Sequence, residues 1–327
     1  MNKYLRFIFD SKYRFKTLDY RGFYKSLDDE KYLKKNYRSI YHKRLDLDNP
    51  KTFNEKMQWL KLYDRKPIYT TMVDKYEVKK YVADIIGEEY VIPTFGVWDR
   101  FEDIDFDSLP DQFVLKCTHD SGGLVVCRDK SKLNKEEAKK KLNRSLQTNY
   151  YLYGREWPYK NVKPRIIAEK YLTSSDGTVP NISKSSVTCE ELQKKHGLLD
   201  YKFMCFDGVV KAMLLDIGII GGGTGHAEEY YRNVYDRDGN LLPMRETREN
   251  YPVNVVLPSN LSKMIEIAEK LSAGFTFLRV DLYSLDNGEI KLGEFTFYHG
   301  SGFSNVFIPE EWDTIFGSWI TLPKKTK

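Results

Sequence analysis

Apolar and polar side chains alternate along the segment RVDLYSLDNGEIKLGEFT, residues 279–296. Alternation with a period of two is typical of a half-buried β-strand. The pair Asn287-Gly288 separates the two alternating halves and is a strong hairpin signal, because both central residues of a type I′ turn need positive φ. With this turn, residues whose numbers add up to 575 (287 + 288) face each other. The pattern therefore predicts that Asp281 lies opposite Glu294.

The two faces of this predicted hairpin differ in chemistry. The apolar face carries Leu278, Val280, Leu282, Phe295 and Phe297, and the other face carries Arg279, Asp281, Tyr283, Leu292, Glu294 and Thr296. Two carboxylates directly opposite each other repel. A divalent cation would remove the repulsion, and Mg²⁺ suits the site because it takes one or two carboxylates together with water and phosphate oxygens. The pattern also fits an exposed hairpin whose acids are solvated, with Arg279 as their ion-pair partner.

Other segments show helix and strand patterns without regular alternation, which favours an α+β fold over a doubly wound sheet. Helices are predicted from a capping box at Thr52, and at about 73–86, 135–146 and 261–272. Strands are predicted at 113–117, 124–127, 166–172, 201–206 and 209–215.

Lys116 lies in an otherwise apolar strand, FVLKC, which runs into the loop THDSGG. An ammonium group beside a glycine-containing loop suits phosphate binding, because glycine lets backbone N–H groups approach an anion closely. The loop is not a Walker A motif, which would read GxxxxGK[ST] and enter a helix. A plain hairpin turn would look similar.

Residues 1–44 are strongly basic, with 13 Lys/Arg against 5 Asp/Glu, while the whole chain has a net charge of only +5. Aromatic residues are interleaved with these bases: Tyr4, Phe7, Phe9, Tyr13, Phe15, Tyr20, Phe23 and Tyr24. The pattern fits an anionic polymer or an anionic membrane surface. It also fits a helical arm that packs its aromatic rings on the main body and leaves its bases in water. No nucleic-acid reading motif accompanies the charge, so we expect no nucleic-acid partner.

The remaining composition is that of an ordinary globular protein, with 41% hydrophobic and 30% charged residues among 327. No segment has the roughly 18 consecutive apolar residues of a membrane span. The first residues also lack the long apolar region and cleavage site of a signal peptide, so we expect a cytoplasmic protein. The four cysteines show no CxxC spacing and the five histidines are scattered, which disfavours a zinc site.

Several motifs, in order along the chain, resemble the ATP-grasp superfamily and, within it, the TupA-like group linked to teichuronopeptide and other cell-surface polysaccharides. They read FNEKMQWLKLYDR, VDKYEVKKYV, IGEEYVIPTFGVWD, FVLKCTHDSGG, DYKFMCFDG, and RVDLY followed by GEFTFYHGSGF. The resemblance covers about residues 50–322 and implies two α+β subdomains that grip ATP. We accordingly expect a basic helical N-terminal region, a first ATP-grasp subdomain with the glycine-loop lid, and a second with the Mg²⁺-binding hairpin, at residues 1–69, 70–172 and 173–327.

The resemblance also implies a role for each site residue. The phosphates would be bound by Lys75, Lys116 and Lys202, under a lid formed by Ser121, Gly122 and Gly123. Adenine would be held by Glu169, Lys170 and Leu172. The ribose would be held by Asp176. Arg279 would stabilise the transferring phosphoryl group, with Lys202 beside it. Mg²⁺ would be held by Asp281, Glu294 and Thr296. The superfamily pattern ends in Glu-x-Asn, so Thr296 departs from it and leaves the number of Mg²⁺ ions open.

The implied reaction is that of an ATP-dependent, ADP-forming carboxylate–amine ligase. The TupA-like relationship suggests a uronic acid of a capsular or wall polysaccharide as the carboxylate, with an amino acid or other amine as its partner. His226, His299 and Arg248 would serve the acceptor site or are structural. The basic N-terminus suits contact with the inner face of the membrane or with the polysaccharide assembly machinery.

Two other functions fit parts of the sequence. A metal-dependent glycosyltransferase would use Asp105 with Asp107, or Asp236 with Asp238, as a DxD pair. A non-catalytic assembly protein would bind polysaccharide or membrane through its basic arm. The first would consume no ATP, and the second would tolerate loss of the Asp281 charge.

Overall fold

The structure is a computed structural model that describes residues 2–172, 185–218 and 230–325. Its helices are α1 (Lys3–Phe9), α2 (Ser11–Tyr20), α3 (Asp29–Tyr41), α4 (Phe53–Tyr63), α5 (Ile68–Val73), α6 (Glu77–Ile86), α7 (Lys135–Leu146), α8 (Cys189–His196), α9 (Leu261–Ser272) and α10 (Glu311–Ser318). Short 3₁₀ turns lie at Glu88–Tyr90, Phe101–Asp103, Lys130–Lys132, Tyr150–Leu152, Trp157–Asn161 and His299–Gly302.

The strands form two larger antiparallel sheets. The strands are β1 (Thr94–Trp98), β2 (Phe113–Cys117), β3 (Leu124–Cys127), β4 (Ile166–Lys170), β5 (Ser186–Thr188), β6 (Asp200–Phe206), β7 (Val209–Ile217), β8 (Tyr231–Asp236), β9 (Arg245–Glu246), β10 (Asn254–Val256), β11 (Phe277–Ser284), β12 (Ile290–Thr296) and β13 (Phe307–Ile308). The first sheet has the order β1-β4-β2-β3 and the second β12-β11-β6-β7-β8. Two-stranded pairs β10-β5 and β13-β9 complete the architecture, which confirms the predicted α+β class.

Each larger sheet has its own apolar core. Helix α7 packs on β2 and β3, and buries Ala138 and Leu142 in the smaller core. Helix α9 packs on β11, β6 and β7 because Met264, Ile265, Ala268 and Leu271 form one apolar face. The larger core also receives side chains from α2 to α6, so the N-terminal helices share it with the second sheet. The predicted division at residues 69 and 172 stays a prediction.

Local signals placed several helix ends correctly. The capping box at the start of α4 is present, with Thr52 accepting from the N–H of Glu55. Helices α7 and α9 have the predicted bounds, and α6 ends before Gly87 as expected. The helix predicted to begin near Val73 instead begins at Glu77, because α5 ends at Val73 and the chain turns there.

The turn of the β11–β12 hairpin differs from the prediction. The Leu285 N–H donates to Glu289, so three residues rather than two form the loop, and Gly288 alone among them has positive φ. A bulge at Gly293 then shifts the register by one residue. The two differences cancel, and Asp281 pairs with Glu294 as predicted. Closer to the turn the prediction was wrong, since Leu292 lies opposite Leu282 and not opposite Tyr283.

The predicted helical N-terminus is present as α1 to α3. Within α2, Phe15 is the one buried residue. Its ring stacks on Tyr24 and meets Tyr32 edge-on. None of the helices in the described ranges combines the length and apolar character that a membrane span requires.

Candidate active site

The Asp281–Glu294 pair lies in a cluster of buried charges. The Arg279 guanidinium donates to both oxygens of Asp281, at 2.6 Å each, and to Glu294 Oε1 at 3.0 Å. The repulsion expected between the two carboxylates is therefore offset by a guanidinium on the same strand. Asp281 has almost no exposed side-chain surface, whereas the Glu294 side chain is 39% exposed. Glu294 is thus the member of the pair that faces the open side.

The neighbouring strand β6 adds a second cation to the cluster. Lys202 lies opposite Asp281 in the register between β6 and β11, and its Nζ lies 2.9 Å from Asp281 Oδ2. It also donates to Asp200, two residues earlier on the same face of β6. Burial raises the pKa of Asp281, but Arg279 and Lys202 outweigh burial and hold that pKa below its usual value. Burial raises the pKa of Asp200 to about 7, because Lys202 only partly offsets it.

The cluster continues through residues that the sequence analysis did not assign. Arg232 on β8 makes a bidentate contact with Asp216 on β7, at 2.5 and 2.6 Å, and also donates to Glu246 on β9. Lys202 lies 3.9 Å from Asp216, so the two groups of charges are continuous. Alternation along β7 and along β8 could have predicted that Asp216 and Arg232 lie on the polar faces of their strands. Only the sheet order shows that these faces lie beside β6.

His299 connects Glu246, at the far end of this row of charged residues, to Arg279. Arg279 Nη1 donates to His299 Nδ1 at 2.8 Å, which makes Nδ1 the acceptor and leaves the hydrogen on Nε2. His299 Nε2 points towards Glu246 Oε1 at 3.6 Å. Burial lowers the pKa of His299, in keeping with a neutral ring. His299 was predicted either to serve the acceptor site or to be structural, and it lies against the Arg279 guanidinium.

A second charged cluster lies between the two larger sheets. Glu169 on β4 is bound by Lys116 on β2 at 2.6 Å and by Lys79 on α6 at 2.5 Å. Burial raises the pKa of Glu169, but the two lysines outweigh it and keep the pKa below its usual value. A narrow cleft contains these three side chains and Lys75 and is closed on the other side by Leu292 and Gly293 of the hairpin. Lys79 was not predicted.

Tyr283 lies between the two clusters. Burial raises its pKa, and the carboxylates of Asp200, Glu294, Asp281 and Glu169 raise it further. The Tyr283 side chain is therefore close enough to both clusters for the acids of each to raise its pKa. A Cβ on Gly293 would come within 3.0 Å of the Tyr283 ring, so this glycine lets the ring pack against the bulge. The hairpin bulge thus holds the cleft and the Arg279 cluster side by side.

The loop after β2 is held by its own acid. The Gly123 N–H donates to both Asp120 oxygens at 3.1 Å, and Ser145 Oγ also donates to Asp120. Lys75 donates to the Asp120 carbonyl. Ser121, at the tip, contacts the Tyr150 hydroxyl at 3.2 Å. The predicted lid therefore lies beside Lys75 with at least one backbone N–H engaged within the loop.

A model of the TupA-like ATP-grasp family matches residues 55–321. The chain belongs to this family. Comparison with curated proteins found no match. Among solved structures, D-cycloserine synthetase DcsG is similar at 18% identity and a TM-score of 0.40, over 77% of this chain and 70% of that one. An L-amino acid ligase from Bacillus licheniformis has 16% identity and a TM-score of 0.42, over 77% of this chain and 50% of that one.

A third solved structure is the ATP-grasp ligase PsnB, complexed with minimal precursor, Mg and ADP. It has 9% identity to this chain and a TM-score of 0.35, over 75% of this chain and 57% of that one. The chain spans about half the length of this ligase and of the L-amino acid ligase. The family match confirms the ATP-grasp prediction.

Of the remaining predicted site residues of this ATP-grasp chain, those within the described ranges lie at the margins of the two clusters. Lys170 is exposed at the end of β4, where its N–H donates to Pro93, and Leu172 is half-buried beyond the strand. Thr296 lies opposite Arg279 at the end of β12. Asp176 and His226 lie outside the described residues. Arg248 stacks over the Tyr230 ring at 4.6 Å, next to the Arg232–Asp216 contact.

The hairpin offers the carboxylates of Asp281 and Glu294 as donors for Mg²⁺. In the described part of the chain, no group of three or more His, Cys, Asp and Glu residues has the arrangement of a metal site. Two carboxylates with one partly exposed member suit Mg²⁺, which completes its shell with water and phosphate oxygens. In addition, the buried Asp200 Oδ1 receives no hydrogen bond from the described residues. Both Asp281 oxygens accept from Arg279 or Lys202, so Asp281 fits Mg²⁺ only when these two cations bind phosphate oxygens instead, and Glu294 is the exposed donor.

The DxD pairs considered for a glycosyltransferase are turn residues. Asp105 Oδ1 accepts from the N–H groups of Asp107 and Ser108. Asp236 Oδ1 likewise accepts from the N–H groups of Asp238 and Asn240. Each first aspartate stabilises its own turn, which explains the spacing without a metal.

Proposed function

We propose that this protein is an ATP-dependent, ADP-forming carboxylate–amine ligase. The observation that carries the proposal is the position of Arg279 and Lys202, two buried cations on adjacent strands that both bind Asp281. Cations held rigidly in a buried site stabilise developing negative charge better than water does, because they need no reorganisation. Such a site suits phosphoryl transfer.

The proposed reaction has two steps. A substrate carboxylate oxygen attacks the γ-phosphorus of ATP, the bond to the β-phosphate oxygen breaks, and ADP leaves with an acyl phosphate remaining. The amine then attacks the acyl carbon and loses a proton, and phosphate leaves with the carboxylate oxygen. Mg²⁺, when bound by Asp281 and Glu294, would neutralise charge on the phosphates. Arg279 and Lys202 would bind the oxygens of the transferring group.

The cleft would bind the nucleotide, with phosphate towards Lys75 and Lys116 and the base towards Glu169, Lys170 and Leu172. Asp176 would bind the ribose. The loop at Ser121 to Gly123 would close over the phosphates and exclude water, which would otherwise hydrolyse the acyl phosphate. Thr296 would supply a hydroxyl beside the Mg²⁺ ligands.

We propose a uronic acid of a surface polysaccharide, or its precursor, as the carboxylate substrate. The TupA-like family assignment supports this choice, and so does the basic N-terminal region, since a polymer of uronic acids is a polyanion. We place the reaction in the cytoplasm. The N-terminal region would contact the membrane or the polysaccharide itself.

Isotope transfer tests the reaction. The protein would be incubated with ATP, Mg²⁺, single amines and uronic acids labelled with heavy oxygen in the carboxylate. ADP release together with label in the phosphate supports the acyl-phosphate route. ADP release that needs both substrates but leaves the phosphate unlabelled would contradict it. In a parallel incubation with nucleotide sugars in place of ATP, sugar transfer would favour a glycosyltransferase.

A further inference from the structure

Helix α1 and the end of α2 expose an unusual set of apolar side chains. Among the described residues, the five most exposed large apolar side chains all come from this segment, at 59–80% exposure. With the neighbouring Leu5, at 49%, the residues on α1 form what we call the apolar patch: Tyr4, Leu5, Ile8 and Phe9. Tyr20 and Phe23 add exposed apolar surface at the other end of α2 and just beyond it. Single exposed apolar residues are normal, whereas a contiguous group marks an interaction surface.

The apolar patch is ordered rather than collapsed onto the body. Helix α1 has no buried residue. Arg14 Nη1 donates to the carbonyls of Phe7 and Ile8, at 3.2 and 2.6 Å, which caps the end of α1. Asp10 caps the start of α2 through the N–H of Tyr13. The corner between the helices is therefore fixed, and it holds the patch outward.

Positive charge surrounds the patch. Exposed bases alternate with the exposed apolar side chains along residues 3–25: Lys3, Arg6, Lys12, Lys16, Arg21 and Lys25. Beside them a cavity of 1030 Å³ lies between α2 and α3. It is lined by seven lysines and arginines and by no aspartate or glutamate: Arg14, Lys31, Lys34, Lys35, Arg38, Lys43 and Arg44. Asp28, Glu30 and Glu310 pair with three of these lysines and leave a basic excess.

We propose that the apolar patch docks this protein onto the surface of an anionic phospholipid membrane. Its side chains would enter the boundary between headgroups and acyl chains, while the surrounding bases bind lipid phosphates. Charge alone would also suit an acidic glycan. Leu5 and Ile8 favour the membrane, because aliphatic side chains neither stack on sugars nor bind carboxylates but do leave water for hydrocarbon.

This docking goes beyond the proposed ligase activity and does not depend on it. The patch would hold the catalytic cluster near the bilayer, where an acceptor carried on a lipid would be concentrated. The apolar patch therefore predicts that the substrate is found at the membrane, and it does not predict which compound the substrate is.

Vesicle sedimentation of the full chain tests the docking. The probes are vesicles of phosphatidylcholine alone and of phosphatidylcholine mixed with phosphatidylglycerol. The variant Ile8→Ser/Phe9→Ser removes apolar surface. Its control is Leu241→Ser/Val256→Ser, at two residues that are 49% and 46% exposed and lie far from the N-terminal helices in the chain. The variant Lys12→Glu/Lys16→Glu reverses charge on α2, with Lys140→Glu/Lys141→Glu on α7 as its control.

We expect the unmodified chain to bind the mixed vesicles and to dissociate as salt is raised. Both N-terminal variants should lose about tenfold or more in partition, and both controls should bind like the unmodified chain. Failure of the mixed vesicles to bind, or undiminished binding by Ile8→Ser/Phe9→Ser, would overturn the proposal. Polygalacturonate that binds equally to the unmodified chain and to Ile8→Ser/Phe9→Ser, while the vesicles do not bind, would assign the surface to an acidic glycan. These outcomes are independent of catalysis, since no nucleotide is present.

Discussion

The guanidinium of Arg279 and the carboxylate of Asp281 form a bidentate pair, with both donor–acceptor distances at 2.6 Å. The two residues are two positions apart on β11, so their side chains share one face of the strand. Both are buried, which makes each dependent on the other for charge compensation. Because of this dependence, a substitution of either residue would affect folding as well as catalysis, whereas a substitution at a less buried neighbour can affect catalysis alone.

Glu294→Gln should remove a proposed Mg²⁺ ligand with little effect on the fold. Its side chain is 39% exposed and contacts Arg279 at 3.0 Å, so we expect the free energy of unfolding to fall by at most about 1 kcal/mol. Asp281→Asn, in contrast, leaves two buried cations undercompensated and should cost about 3 kcal/mol or more. Urea unfolding measures both values. Mg²⁺-dependent ADP release by the Glu294→Gln protein equal to that of the unmodified protein would contradict the metal assignment.

His299 should act as a positioning residue for Arg279. In His299→Asn the amide oxygen can occupy roughly the place of Nδ1 and accept from the guanidinium, whereas in His299→Gln the amide lies further out, near the place of Nε2. We therefore expect the Asn variant to retain most of kcat and the Gln variant to lose about tenfold or more, with little change in KM for ATP. Steady-state ADP release checks this split. Equal loss in both variants, together with equal loss of stability, would indicate a purely structural histidine.

Lys116 and Lys79 should differ in function although both bind Glu169. Lys116 lies near the end of β2, shortly before the glycine loop. Lys79 donates in addition to the carbonyl of Ile92 at 2.6 Å and so has a local structural partner. We expect Lys116→Met to weaken ATP binding about tenfold or more, and Lys79→Met to act mainly on stability. Calorimetric titration with ATP and Mg²⁺ compares them. Equal ATP affinity in Lys116→Met and the unmodified chain would rule out Lys116 as a phosphate ligand.

The two loop glycines should respond differently to alanine. A Cβ on Gly123 would lie 2.7 Å from the Cβ and Sγ of Cys117, whereas one on Gly122 would meet only Asp120, at 4.0 Å. Gly123→Ala should therefore cost about 1–3 kcal/mol through overpacking, and Gly122→Ala should be nearly neutral. Thermal and urea unfolding of the pair measure this difference. Comparable stability of the two variants would show that the loop rearranges freely.

Glu246 should contribute to acid sensitivity. Burial raises its pKa, but Arg232 and His299 outweigh burial and lower it to about 2, below the ordinary value of 4.5. A carboxyl with a lowered folded pKa stabilises the protein above its unfolded pKa, and the contribution is lost as pH falls towards the folded pKa. The free energy of unfolding should therefore drop by up to about 3 kcal/mol more between about pH 5 and about pH 2 than in Glu246→Gln. Glu136→Gln, exposed on α7, is the control. Parallel pH profiles for the unmodified and Glu246→Gln proteins would contradict the assignment.

Local patterns predicted much of the secondary structure. The bounds of α7 and α9 follow from capping residues and helical periodicity, which depend on neighbours within one or two turns. The Asp281–Glu294 pairing was also predicted, although by a two-residue turn that the structure replaces with a three-residue loop and the bulge at Gly293. Turn type and bulge both depend on packing: Tyr283 packs against Gly293, and this contact forms only once the two strands are paired.

The sequence by itself determined the hairpin, its paired acids, the basic N-terminus and, through ordered motifs, the ATP-grasp family. The tertiary structure decided which charges meet. Asp200, Asp216, Arg232 and Glu246 joined the Arg279 cluster because β11 pairs with β6, which lies far from it in the chain, and Lys79 joined Glu169 because α6 lies beside β4. It also separated Phe15, which is buried, from Phe9, which is exposed, although both are aromatic residues among bases. The physical reason is that burial and charge pairing depend on which surfaces pack together, and adjacency in sequence specifies only the local conformation.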